Sequence, residues 1–125
     1  MSDRWDVEIA AETAYEAIRS INHETIFVPR GIPAPVVYRV LGELKSAGGY
    51  GLNQALNQLA RGLEHSLDHY DVVEDDGRNP NESVLEAAEA LGQAADLANQ
   101  VGRLLDRAQS AIARQGYRTT SAISS

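Results

Sequence analysis

Residues 79–115, NPNESVLEAAEALGQAADLANQVGRLLDRAQSAIARQ, form the longest periodic stretch of the chain. Asn79 can cap a helix, Pro80 suits its first turn, and Glu82 follows three residues after the cap, as in a capping box. Apolar residues then recur every seven positions, at Val84, Leu91, Ala98, Leu105 and Ile112. A second row (Ala87, Ala94, Val101, Ala108) and a third (Ala90, Leu97, Leu104, Ala111) widen the stripe beyond a two-stranded seam. A helix patterned this way is made to be covered by other helices.

Outward from that helix, the whole composition points the same way. The 125 residues are enough for one domain with a core, and 6% aromatics favour helix over sheet. There is no cysteine, which excludes disulfides and thiolate metal sites. The formal charge of -7 argues against a general nucleic-acid binder, which needs a basic face. Asp3 and Asp6 stand where a signal peptide needs basic and then apolar residues, and no run approaches the roughly 20 apolar residues of a membrane span. These features predict a cytoplasmic protein with no membrane contact.

Four helices are expected, about 3–23, 35–47, 51–70 and 80–115, in an all-α, up-and-down four-helix bundle. The bundle domain is read as 1–116, with 117–125 as a flexible tail. The first helix would be capped by Ser2 or Asp3 and would bury Val7, Ala11, Ala14, Ile18 and Ile21. Trp5 would close the end of the bundle or, failing that, anchor a partner. Residues 24–35 hold three prolines and a glycine yet carry Ile26, Phe27, Val28 and Ile32, so we expect an ordered loop with Phe27 in the core. Val37, Val40, Leu41 and Leu44 would line the second helix, and Gly48-Gly49 would stop it with a left-handed cap. In the third helix Leu52, Ala55, Leu56, Leu59, Leu63 and Leu67 would face inward, with Asn53, Asn57 and Arg61 outside.

The lengths do not match. A last helix of about 36 residues would run about 54 Å against about 29 Å for the third. Its apolar far end would then need cover from another chain. We therefore expect Leu97, Val101, Leu104, Leu105, Ala108 and Ile112 to form a surface for self-association, a dimer being favoured, or for a protein partner.

Other constellations are weaker. His65 and His69 share a helix face at zinc-ligand spacing, with Glu64, Asp68 and Asp71 as nearby oxygen ligands, the basis of an alternative reading as a metal-binding helical bundle, although Ser66 stands where the zinc-protease motif needs glutamate. The acidic turn Asp71–Asn79 lacks the alternate spacing of a calcium loop. The segments around Gly48-Gly49 could form a helix-turn-helix that exposes Asn53, Gln54, Asn57, Gln58 and Arg61, the basis of an alternative reading as a DNA-associated regulator or antitoxin-like protein. No serine sits in a nucleophile elbow, and there is no phosphate-binding glycine motif, so neither catalysis nor a cofactor is expected. Asn22, His23 and Phe27 meet where the first helix ends, a place for loop fixation or a small contact.

The run from Ala17 to Thr25, the proline-bearing loop, Val37–Leu44 and Leu56–Arg61 resemble small helical proteins of actinobacterial plasmids and integrated mobile elements. The likeness spans about Ala14 to Glu64 together with the Ala-rich last helix. It implies an accessory role near conjugation, phage or defence, and no catalytic residues.

Overall fold

A computed structural model describes residues 3–119; within them all regular structure is helical, with no strand. The elements are α1 (Asp6–Thr25), α2 (Ala34–Leu44), a π-helical turn (Lys45–Tyr50), α3 (Gly51–His69) and α4 (Pro80–Ala111). The all-α class is as expected; the count of four is corrected to three, because α2, the π turn and α3 run on as one helix. Gly48-Gly49 is therefore not a stop. Among the described residues only Gly31 and Gly77 have positive φ, so the left-handed cap expected at the glycine pair is never formed. The pair is instead taken up in the π turn, and Gly49 is one of the few buried residues of the chain.

The chain divides into two compact units, Met1–Ile32 and Pro33–Ser125. In the first, α1 starts three residues later than expected, behind Trp5 rather than Asp3, and the proposed cap Ser2 lies outside the described residues. The Trp5 N–H donates to the Glu8 carboxylate at 3.2 Å, which closes the N-terminus without a side-chain cap at Asp3. No residue of α1 is buried, so the expected burial of its Val7–Ile21 stripe is not seen. Trp5 and Phe27 are exposed by 64% and 80%, which corrects their placement in a core. The loop after α1 closes on itself through the Gly31 N–H to Val28 O bond at 2.9 Å, with Gly31 at φ 75.

In the second unit the long helix and α4 pair as an antiparallel hairpin. The register is fixed by cross-helix contacts that run in opposite order along the two helices. Gln109 Nε2 donates to Tyr38 O at 2.9 Å, Lys45 Nζ donates to Asp106 Oδ1 at 2.9 Å, and Asn53 Nδ2 donates to Ala95 O at 2.8 Å. Between them Gly49 lies against Gly102, where an added Cβ would come 2.5 Å from the Gly102 Cα. The 32 residues of α4 span about 48 Å, and the joined α2–α3 helix is as long. The expected overhang does not exist: α2 lies beside the far end of α4, which ends at Ala111 rather than near 115.

Asn79 does cap α4, its side chain accepting from the Asn81 N–H at 2.9 Å. The loop before it turns through Gly77, φ 78, whose N–H donates to Glu74 O, while Ser83 Oγ donates to the Glu74 carboxylate at 2.6 Å.

Candidate interaction face of the hairpin

The α4 seam can be read from burial. Val84, Ala95, Ala98, Gly102 and Gln109 are buried, with Leu91, Leu105 and Ile112 half-buried. The first sequence row therefore faces the partner helix as expected. Its companion row is Ala88, Ala95, Gly102 and Gln109, four residues on, rather than the Ala87–Ala108 row. Small side chains decide this. Ala95 and Ala98 are 1% and 5% exposed, and Gly102 carries the Tyr50 ring, so the backbones close on this line and push the bulkier rows outside.

The π turn shifts the other helix in the same way. It holds one residue more than α-helix would, so the inward face beyond it moves by one position. Asn53, Asn57 and Ala60 are turned toward α4, while Leu52 and Leu59 swing out to 40% and 49% exposure. Leu56, Leu63 and Leu67 stay half-buried. The expected inward set of α3 is thus half corrected. So is the outward placing of Asn53, whose amide is spent on Ala95 O. The turn that a helix-turn-helix requires is not formed.

In an antiparallel pair, like-handed flanks of the two helices share one side. Here that places Val40, Leu52 and Leu59 beside Leu97, Val101 and Leu104. The opposite side carries Arg39, Arg61, Glu64, Asp96, Arg103 and Asp106, together with the exposed Tyr38 and Tyr50 near Lys45 and, toward the loop, Leu85. The hairpin therefore has one broad face whose exposed large side chains are aliphatic and one that mixes charged residues with Tyr38, Tyr50 and Leu85. Leu97, Val101 and Leu104 are 60%, 43% and 56% exposed, so three of the six residues expected as an association surface do lie open together. Leu105 and Ile112 are corrected to the seam inside the hairpin, since both are half-buried there; Ala108 is exposed on the flank.

A polar cluster pins the α2 end. Gln109, 9% exposed, donates to Tyr38 O and accepts from Lys45 Nζ at 2.9 Å, while the same ammonium reaches Asp106. The Asp106 hydrogen bond raises the Lys45 pKa above its usual 10.5, against a smaller opposing desolvation. Sequence reasoning missed Gln109, Lys45, Gly49 and Gly102. Their one sequence signal is the run of small residues Ala95, Ala98, Gly102 facing a glycine pair.

The remaining candidates stay apart. His65 and His69 are exposed on α3, and among the described residues no group of three or more His, Cys, Asp or Glu is placed to hold a metal. Asn22 and His23 are exposed in the last turns of α1, and His23 borders a shallow polar dip with Glu16, Arg19 and Ser20. Phe27 stands free in the loop beyond. Among the described residues, no helix is long and apolar enough to cross a membrane. Comparison with protein-family models, with curated proteins and with solved structures finds no match to this chain.

Proposed function

We propose that this is a non-enzymatic helical interaction protein of the cytoplasm that acts by docking its aliphatic hairpin face onto a helical protein surface, its own included. One observation carries the reading. Two helices bury only Val84, Ala95 and Ala98 as hydrophobic core among the described residues, while Leu52, Leu59, Leu97, Val101 and Leu104 remain open on one side. A patch of that kind on a soluble fold marks a binding surface. It is also too small a core for a hairpin to stand on unaided, since two packed helices bury little apolar area for the chain entropy they lose.

The test is Leu97→Glu combined with Leu104→Glu. Both positions are more than half exposed, so helix content by circular dichroism should survive while association, with itself or with a captured partner, is lost. Unchanged assembly and unchanged partner binding in that variant would remove the reading.

A further inference from the structure

We infer that the Arg30–Gly31 peptide bond is a processing site, cut by an arginine-specific serine protease that separates residues 1–30 from the hairpin. The inference goes beyond the docking role and does not depend on it.

The residues around the bond are those such an enzyme reads. Residues 26–33 lie outside the helices, between Thr25 at the end of α1 and Ala34 at the start of α2. Proteases of this class hold the side chain before the cut in a pocket with a carboxylate at its floor. The Arg30 guanidinium suits that carboxylate, which it can bind through two parallel hydrogen bonds. Pro29 before it has φ fixed at about -65°, so this part of the substrate loses little freedom on binding. Val28 and Phe27 add apolar side chains upstream, and the Phe27 ring is 80% exposed. Gly31 sets no side chain against the far side of the cleft.

The loop is also open to attack. Ile26, Phe27, Pro29, Arg30 and Gly31 are all exposed, and the Arg30 guanidinium makes no ion pair among the described residues. One turn hydrogen bond, from Gly31 N–H to Val28 O, must open for the segment to lie extended in a protease cleft. Gly31 leaves its positive φ without steric cost.

The other arginines do not compete. Arg19, Arg39, Arg61, Arg103 and Arg107 stand inside helices, where local unfolding must come before cleavage. Cuts at Arg4, Arg114 or Arg118 only trim the ends of the helical body. Arg78 is internal and outside a helix, but its Nε pairs with Asp76 at 3.1 Å and its N–H donates to the same carboxylate. Glu74, Asp75 and Asp76 also bring negative charge toward a negative pocket.

The cut leaves the hairpin whole. It falls two residues before the division between the compact units Met1–Ile32 and Pro33–Ser125. Tyr38, Lys45 and Asn53, which fix the hairpin register, all lie beyond it. So does Pro33, whose carbonyl accepts from the Val36 N–H in the first turn of α2. In the reaction the protease serine is acylated by the Arg30 carbonyl carbon, the C–N bond breaks, and the Gly31 nitrogen leaves with a proton. Water then hydrolyses the ester, so that Arg30 ends in a carboxylate and Gly31 begins with an ammonium.

The experiment uses the full chain, natural and Arg30→Gln, digested briefly with trypsin, with products identified by mass. The natural chain should be cut first among its internal bonds at Arg30–Gly31, about tenfold or more faster than at any arginine inside a helix. The 31–125 product should keep its helix content by circular dichroism, and Arg30→Gln should escape this cut. A first internal cut at another arginine, or a product that loses its helices, overturns the inference. Both chains are then recovered from the cells that make the protein. A fragment beginning at Gly31 is expected from the natural chain and not from Arg30→Gln. Recovery of only uncut chain from both overturns the inference, because the loop is then merely exposed.

Discussion

Gly49 and Gly102 meet backbone to backbone at the middle of the hairpin: a Cβ on Gly49 would lie 2.5 Å from the Gly102 Cα and 2.8 Å from its nitrogen. Those atoms belong to a helix and cannot move aside as a side-chain tip can. Gly49→Ala should therefore destabilise by about 1–3 kcal/mol, the usual cost of forcing extra volume into a packed contact. Gly62→Ala meets nothing within 4 Å and should instead stabilise the helix by about 0.5–1 kcal/mol. Chemical denaturation of the two variants checks the pair, and equal effects would show that the crossing is not this tight.

The π turn makes a prediction about chain length. It accommodates one residue beyond an α-helical count, so removing Gly48 should leave a plain helix that still turns Asn53, Ala60 and Leu67 toward α4. Removing Gly62 from regular α3 should swing every later residue by about 100° and unseat the hairpin's loop end. Thermal melts should show the first deletion tolerated and the second severely destabilising. Similar losses in both would mean the extra residue is not where the structure puts it.

At the α2 end, Gln109 joins Tyr38 O and Lys45, both at 2.9 Å. Gln109→Ala strands a carbonyl in a half-buried contact and should cost about 1–3 kcal/mol in urea denaturation. Destabilisation indistinguishable from zero would show that water replaces the amide freely.

Lys45 adds a pH signature. Asp106 holds its ammonium, so its pKa in the fold lies above the usual 10.5. A raised folded pKa means the protonated lysine favours the fold. Its contribution is complete below the unfolded value and disappears as pH rises through the folded one. The stability gap between the natural chain and Lys45→Met should be constant from about pH 7 to 9 and shrink above the lysine range. A gap that persists at strongly alkaline pH would assign the effect to packing of the lysine stem.

His65 and His69 are exposed and stand in no larger ligand group among the described residues. Neither zinc nor a chelator should move the melting temperature, and His65→Ala with His69→Ala should melt like the natural chain. A zinc-dependent rise that the double variant abolishes would restore the metal reading.

The helices were legible in the sequence because their signals are local. Asn79-Pro80 marks the α4 start, and the Val84–Ile112 row follows α-helical phase with no interruption. Everything that depended on Gly48-Gly49 was misread, since a glycine pair serves equally as a left-handed stop and as a place where two backbones touch. Only the partner helix of the hairpin, with Gly102 opposite, distinguishes these. The consequences ran downstream: with a stop assumed, the third helix looked too short, α4 looked overhung, and Leu52 and Leu59 looked buried. The open site was half legible. Leu97, Val101 and Leu104 were picked out by apolar period, but period alone cannot say which of three adjacent rows lies innermost when the small residues of one row let the helices draw close.

Heptads of alanine and leucine repeat along α4, and a repeating pattern invites misalignment. The glycine crossing removes that freedom. Sliding α4 by one heptad in either direction would bring Ala95 or Gln109 into the place of Gly102, where a Cβ would come 2.7 Å from the Tyr50 ring. It would also strip Lys45 and Tyr38 of Gln109 at the end of the helix. A low-complexity hairpin thus has a single keyed alignment, because a pairing that closes out of step meets steric exclusion at its centre.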